Sequence, residues 1–264
     1  MTSASQQVRQ GPAWVESLLG LLYPEVCQLC RGEPAGPATG YVGVACRARV
    51  RTLKAPFCER CGLPYSGEIS GPFTCANCAE TPLHFDYARA ATIADGPVLD
   101  AVHRYKYSDA RWLHPFLAGL LCDAAVPELQ AGGWSMIVPV PLHSVKLRER
   151  GFNQAETLAG ALSKALAIPV RTDLVHRAAP THTQTTLSRQ ERAENVSRAF
   201  HAGQGPRWFN WTRRPAPPRI HGKSVIVIDD VLTTGATANA VARELRRLGA
   251  SRVCVWSVAR ATMR

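Results

Sequence analysis

The hydrophobic pattern of this chain switches repeatedly between two periods. Four β-branched residues in a row, Val225 to Ile228, suit a strand buried on both faces of a parallel sheet. Ala238, Val241, Leu245 and Leu248 then recur at helical spacing and predict a helix over 236–248. The alternation continues elsewhere. It predicts strands at 85–95, 136–140, 170–175, 199–200, 224–228 and 252–258. Helices are predicted over 98–107 and 112–125, parted by polar Ser108-Asp109. Another is predicted over 153–166, with Ala155, Leu158, Ala159, Leu162 and Leu166 on one face. Strands alternating with helices predict an α/β fold, a parallel sheet flanked by helices, with its ligand at the carboxyl ends of the strands.

The pattern breaks down before residue 84. Residues 1–13 are polar and predict a disordered tail. Residues 14–23 suit a short amphipathic helix, with Ser17 to Tyr23 as an apolar docking patch. Beyond it lie two CxxC pairs, Cys58/Cys61 and Cys75/Cys78, with thirteen residues between them. Two such knuckles can place four thiolates tetrahedrally around one Zn²⁺. A segment this poor in apolar periodicity needs such a metal to hold a fold, whereas the α/β part has a core of its own. A first set, Cys27, Cys30 and Cys46, lacks a fourth thiolate, because the position three beyond Cys46 is Arg49. Three ligands with water, a ligand borrowed from elsewhere, and a lost site all remain open. The predicted organisation is a tail at 1–13, a small zinc ribbon at 14–83 and the α/β domain at 84–264.

Composition adjusts this picture at two points. The 264-residue chain carries a formal net charge of +11, which favours anionic partners such as nucleotides, pyrophosphate or nucleic acid. Seven of the nine cysteines lie between Cys27 and Cys78. With no signal-peptide pattern and no apolar run of about 20 residues, a cytoplasmic protein without a membrane-spanning segment is expected, where cysteine pairs mean metal or redox chemistry.

Candidate chemistry concentrates in Val225–Thr237, VIVIDDVLTTGAT. A buried strand runs into Asp229 and Asp230, then into Thr233, Thr234, Gly235, Ala236 and Thr237 at a helix N-terminus. Unpaired backbone N–H groups and the helix dipole favour an anion there, and Gly235 lets the backbone approach a phosphate closely. The carboxylates cannot serve that anion; they suit sugar hydroxyls or a divalent cation. A sugar phosphate satisfies the whole set. Neither GxxxxGK[ST] nor a post-strand GxGxxG occurs, so the other common phosphate motifs are excluded. Lys146, Arg148 and Arg150, three cations in five positions of a basic loop after a strand end, suit a pyrophosphate group. Lys106-Tyr107 reads equally as a solvated helix end or as a ligand contact. Residues 178–197 form a polar segment long enough to be a functional loop. The 203–220 insertion interleaves Arg207, Trp208, Trp211, Arg213 and Arg214, which either anchor the insertion or stack and neutralise single-stranded nucleic acid.

Val225–Thr237 resembles the PRPP-binding motif of type I phosphoribosyltransferases. The cysteine array, HRYKY at 103–107, PVPLHSVKLRERGFNQAE at 139–156 and LSRQERAENVSRAF at 187–200 extend the resemblance to the ComF family over residues 14–262. That resemblance implies a zinc ribbon followed by a type I phosphoribosyltransferase-like domain. It implies Asp229 and Asp230 on the ribose hydroxyls, 233–237 around the 5-phosphate, and Lys146, Arg148 and Arg150 near the pyrophosphate of PRPP bound with Mg²⁺. It further implies a flexible loop at 181–195 and a role in DNA uptake beside other uptake proteins. The functions expected are phosphoribosyl transfer or, alternatively, single-stranded DNA binding or PRPP-responsive regulation without turnover.

Overall fold

The computed structural model describes residues 25–65, 67, 69, 71–178, 199–203 and 219–262. Its strands are β1 (Tyr87–Ile93), β2 (Met136–Pro139), β3 (Val175–Arg177), β4 (Phe200–Ala202), β5 (Ser224–Leu232) and β6 (Arg252–Arg260). Its α-helices are α1 (Val44–Ala48), α2 (Ala76–Glu80), α3 (Gly96–Tyr107), α4 (His114–Leu129), α5 (Ser144–Arg150), α6 (Gln154–Leu166) and α7 (Ala236–Arg247). Four strands form one sheet in the order β1-β6-β5-β2, parallel throughout. No helix among the described residues is long and apolar enough to cross a membrane.

Period-two alternation along β5 sorts the core into two layers. Ile226 and Ile228 pack with Val98, Tyr105, Leu117, Leu121, Leu158 and Leu162, from α3, α4 and α6. Val225 and Val227 pack with Val241 and Leu245 of α7, together with Val175 and Phe200. The predicted face of α7 holds, with Ala238, Val241 and Leu245 at 0% exposure.

Three sequence expectations are corrected. No strand forms over 170–175. Val170 makes a single parallel bridge to Ile137, Pro169 has no N–H to extend it, and an Arg171–Asp173 ion pair of 2.7 Å turns the chain away. The apolar residues that suggested the strand, Leu174 and Val175, instead supply the β3–β4 hairpin, which is antiparallel. β5 does not stop at Ile228; β6 carries it on to Leu232, pairing Asp229 with Ser257 and Leu232 with Arg260. The basic stretch after β2 is helix α5, not a loop.

The cysteine-rich segment is built onto the sheet. Leu53 donates to the Ala91 carbonyl, Ile93 to Arg51 and Ala88 to Arg60, so 51–60 covers the free edge of β1. The tail, the 14–23 helix, the 181–195 loop and Arg207, Trp208, Trp211, Arg213 and Arg214 lie outside the described residues.

Candidate functional site

On the β2 side, pairing of β5 ends at Pro139↔Ile228. From Asp229 onward β5 has only β6 beside it, so both carboxylates stand where the sheet opens at the carboxyl end of β2. Alternation sends them to opposite faces. Asp230 shares the face of α3 and is 3% exposed; its Oδ2 lies 2.6 Å from Lys106 Nζ, and its Oδ1 accepts the Val231 N–H at 2.8 Å. Asp229 accepts the Asp230 N–H at 2.9 Å. Burial, and next the Asp230 charge, raise the Asp229 carboxyl well above the ordinary carboxylate range, while Lys106 pulls it down.

Two predictions follow from this geometry. Lys106→Met strands a buried carboxylate and should cost about 2–3 kcal/mol, less than the roughly 3–5 kcal/mol of a fully buried pair because Lys106 keeps some solvent contact. Adding Asp230→Asn should recover most of that loss, read as melting temperatures in a double-mutant cycle; additive losses would show that the pair is not coupled. The raised Asp229 means that the folded state holds its proton more tightly than the unfolded chain does. Stability therefore falls as pH rises from about 4 through the folded-state value. The melting temperature of Asp229→Asn minus that of the parent should be near zero at about pH 4, climb as pH rises and level off above the folded-state value. A flat difference would contradict the raised value.

The turn after β5 exposes Thr233 and Thr234. Gly235 adopts φ 81°, the left-handed region that favours glycine, and caps α7. Thr234 Oγ1 accepts the Ala236 N–H at 3.3 Å. Behind the turn lies a residue that sequence reading missed, Arg260, 1% exposed at the end of β6. Its guanidinium donates to the carbonyls of Leu232 (3.0 Å), Ala261 (2.8 Å) and Thr233, and to that of Cys61 (3.1 Å). Asn239 of α7 likewise accepts the His84 N–H at 2.6 Å and donates to the Pro82 carbonyl at 3.0 Å. The turn and its helix are thus tied to the segment that leaves the cysteine region.

Of the three predicted cations, Arg150 is the one whose contacts lead toward this centre. It lies over the Tyr107 ring at 5.3 Å and donates to Gln154, while Lys106, the neighbour of Tyr107, holds Asp230. Asn153 fixes this corner, donating to the Val140 carbonyl at 3.1 Å and accepting from Ala155 at 3.0 Å. Lys146 shares the Arg150 face of α5 at i,i+4 spacing, and Arg148 faces away. Among the described residues neither Lys146 nor Arg148 makes an ion pair. A pocket of about 560 Å³, which no sequence signal indicated, is lined by Tyr105, Arg111, His114, Phe152, Thr157 and Lys164, among others.

Cys58, Cys61, Cys75 and Cys78 are buried with their sulfurs within 4.8 Å of one another. Burial would raise the Cys58 thiol, but the N–H groups of Cys75, Cys61 and Arg60 outweigh it and bring it down to about 7. Burial and the neighbouring sulfurs push Cys78 far up. Four crowded sulfurs with opposed proton affinities, stabilised by N–H groups, suit a tetrahedral cation. A second cluster joins Cys27, Cys30 and Cys46 to Glu33, again within 4.8 Å. The Glu33 contribution was invisible to cysteine counting.

Comparison with known proteins agrees with this division. The family profile "Phosphoribosyl transferase domain" matches residues 153–262, and "Double zinc ribbon domain" matches 18–81. The chain is 30% identical over 240 residues to "Competence protein F" of Haemophilus influenzae, covering 89% of this chain and 96% of that protein. It is 32% identical over 245 residues to "DNA utilization protein YhgH" of Escherichia coli, covering 91% and 99%. "Competence protein ComFC" of Bacillus subtilis is 24% identical over 213 residues, covering 78% of each. With a double zinc ribbon joined to a phosphoribosyltransferase domain, and with a competence protein matched at 30% identity over 96% of its length, the chain belongs to the ComF family of competence proteins.

Proposed function

We propose that the open end of β5 binds PRPP with Mg²⁺, and that the protein serves DNA uptake or use through this site. One observation carries the reading: two carboxylates at an open strand end lead directly into exposed Thr233 and Thr234 and a left-handed Gly235 at the N-terminus of α7. In this reading the α7 N-terminus and the hydroxyls of Thr233, Thr234 and Thr237 hold the 5-phosphate. Asp229 and Asp230 accept from the ribose hydroxyls. Lys146 and Arg150, with Arg148 at the rim, attract the pyrophosphate. Two close carboxylates, whose proximity and burial raise Asp229, also fit a divalent cation beside them, since a cation offsets their mutual repulsion. Mg²⁺ would neutralise pyrophosphate oxygens. Where an acceptor is present, its nitrogen forms a bond to C1 of the ribose. The C1–O bond breaks with its electron pair leaving on pyrophosphate, and the acceptor's proton goes to solvent. The carboxylates then lie against positive charge developing on the ring.

The names of the relatives, competence and DNA utilization, support the cellular role. Zinc held by Cys58, Cys61, Cys75 and Cys78 is structural in this account, and the net charge of +11 suits an anionic partner. The test is calorimetry of PRPP with and without Mg²⁺, followed by pyrophosphate release against nucleobases, amines and single-stranded DNA. Mg²⁺-dependent binding is the expected result, and release with one acceptor identifies a transferase. Salt-sensitive binding of single-stranded DNA without PRPP binding would replace this reading with the nucleic-acid one.

A further inference from the structure

We propose that Glu33 completes a second zinc site, Cys27-Cys30-Cys46-Glu33, in place of the fourth thiolate that this chain lacks. The backbone prepares the thiolates in the manner of a knuckle: the Arg31 N–H closes on the Cys27 carbonyl at 2.8 Å, and the Gly32 N–H points at Cys30 Sγ, 3.4 Å away. Glu33 follows directly. Its Oε1 lies 3.7 Å from Cys30 Sγ, and the four candidate ligand atoms fall within 4.8 Å of one another. Zn–S bonds of about 2.3 Å and Zn–O bonds of about 2.0–2.2 Å place tetrahedral ligand atoms about 3.5–3.8 Å apart, so only a small contraction onto the ion is needed.

The carboxylate is held in place by two features. Oε2 accepts the Ala45 N–H at 2.9 Å and Oε1 the Cys46 N–H at 3.1 Å, which fixes its orientation while each oxygen keeps a further lone pair. Gly43 clears the space: a Cβ there would lie 2.2 Å from Glu33 Cδ. Arg49, at the position where a fourth cysteine would complete the knuckle, donates from Nη2 to Cys46 Sγ at 3.2 Å. It therefore acts on a ligand from outside the cluster. Three thiolates, a carboxylate and Zn²⁺ carry a net charge of −2, and Arg49 offsets part of it. Arg260 stands in the same relation to the other cluster, 3.6 Å from Cys61 Sγ.

The test is zinc stoichiometry and chelator competition on the full chain purified without chelator. Two zinc ions per chain are expected. Glu33→Gln keeps an acceptor for the α1 N–H groups but removes the anionic ligand, so one zinc should bind at least tenfold more weakly. Gly43→Ala keeps all four ligand residues and should produce the same loss by displacing the carboxylate. Glu33→Cys should restore tight binding, although it cannot cap α1. A single zinc in the parent would overturn the proposal. So would undiminished affinity in Glu33→Gln, or a Glu33→Cys protein no tighter than Glu33→Gln, because Glu33 would then be only a helix cap.

Discussion

The Asp229→Asn/Asp230→Asn protein is expected to fold and to lose Mg²⁺-dependent PRPP binding. Asparagine keeps the size of each side chain and an oxygen for the Asp230 and Val231 N–H groups, so the end of β5 should survive. At saturating Mg²⁺, which favours the ionised form of both carboxylates, the variant removes two anionic acceptors from the open strand end. A hydrogen bond to a charged group contributes about 1.5–3 kcal/mol, and losing two should weaken binding by roughly a hundredfold to ten-thousandfold. Lys106 loses its partner, but it retains some solvent contact and its ammonium can turn outward. Calorimetry compares the variant with the parent at saturating Mg²⁺, with circular dichroism as the check on fold. Parent-like affinity in a folded variant would place the PRPP site elsewhere. Thr233→Ala, which removes one exposed hydroxyl and leaves the backbone N–H groups, should cost only about tenfold.

The strand, turn and helix that frame this candidate site were legible because their information is local. A buried strand, two carboxylates and a small hydroxyl-rich turn occupy thirteen consecutive residues, and each residue type has few other uses in that order. What failed depended on neighbours distant in sequence. The length of β5 is set by β6, which continues past the point where β2 stops, and Val225–Ile228 carries no trace of that. Residues 170–175 have the composition of a strand, but β2 offers only Ile137 for pairing there. In the first cysteine cluster, the spacing showed that a ligand was missing and could not show which residue replaced it. Glu33 reaches Ala45 and Cys46 across 12 and 13 positions, through the reversal that ends at Gly43. Arg260 was passed over for the same reason. At the end of an apolar strand a cation reads as a solvated terminus, yet its partners Cys61 and Leu232 lie 199 and 28 positions away.

Arg260 changes what removal of zinc should do. Sequence reasoning treats the ribbon as separable, so that chelation would unfold it and leave the α/β domain untouched. A guanidinium at 1% exposure with no carboxylate partner among the described residues is costly unless its surroundings are anionic. Here the negative charge comes from the thiolates: Nη2 lies 3.6 Å from Cys61 Sγ, and Nε donates to the Cys61 carbonyl. The same guanidinium holds the Leu232 and Thr233 carbonyls, where the turn toward α7 begins. Stripping zinc protonates or disperses the sulfurs, releases Cys61 and leaves Arg260 seeking new partners. The α/β core should persist, since its two apolar layers do not include Cys58, Cys61, Cys75 or Cys78 and take from the other cluster only Cys27 and Cys46, which pack there as small apolar side chains. The turn should loosen. Chelated protein is therefore expected to keep its helix signal while PRPP affinity falls at least tenfold, about 1.4 kcal/mol or more. Cys58→Ser should reproduce that loss, and Cys27→Ser, in the cluster that Arg260 does not hydrogen-bond, should not. Arg260→Gln should weaken PRPP binding with zinc still bound, separating the role of the arginine from that of the metal. Undiminished PRPP affinity in chelated, folded protein would mean that the turn is held by Arg260 without help from the ribbon.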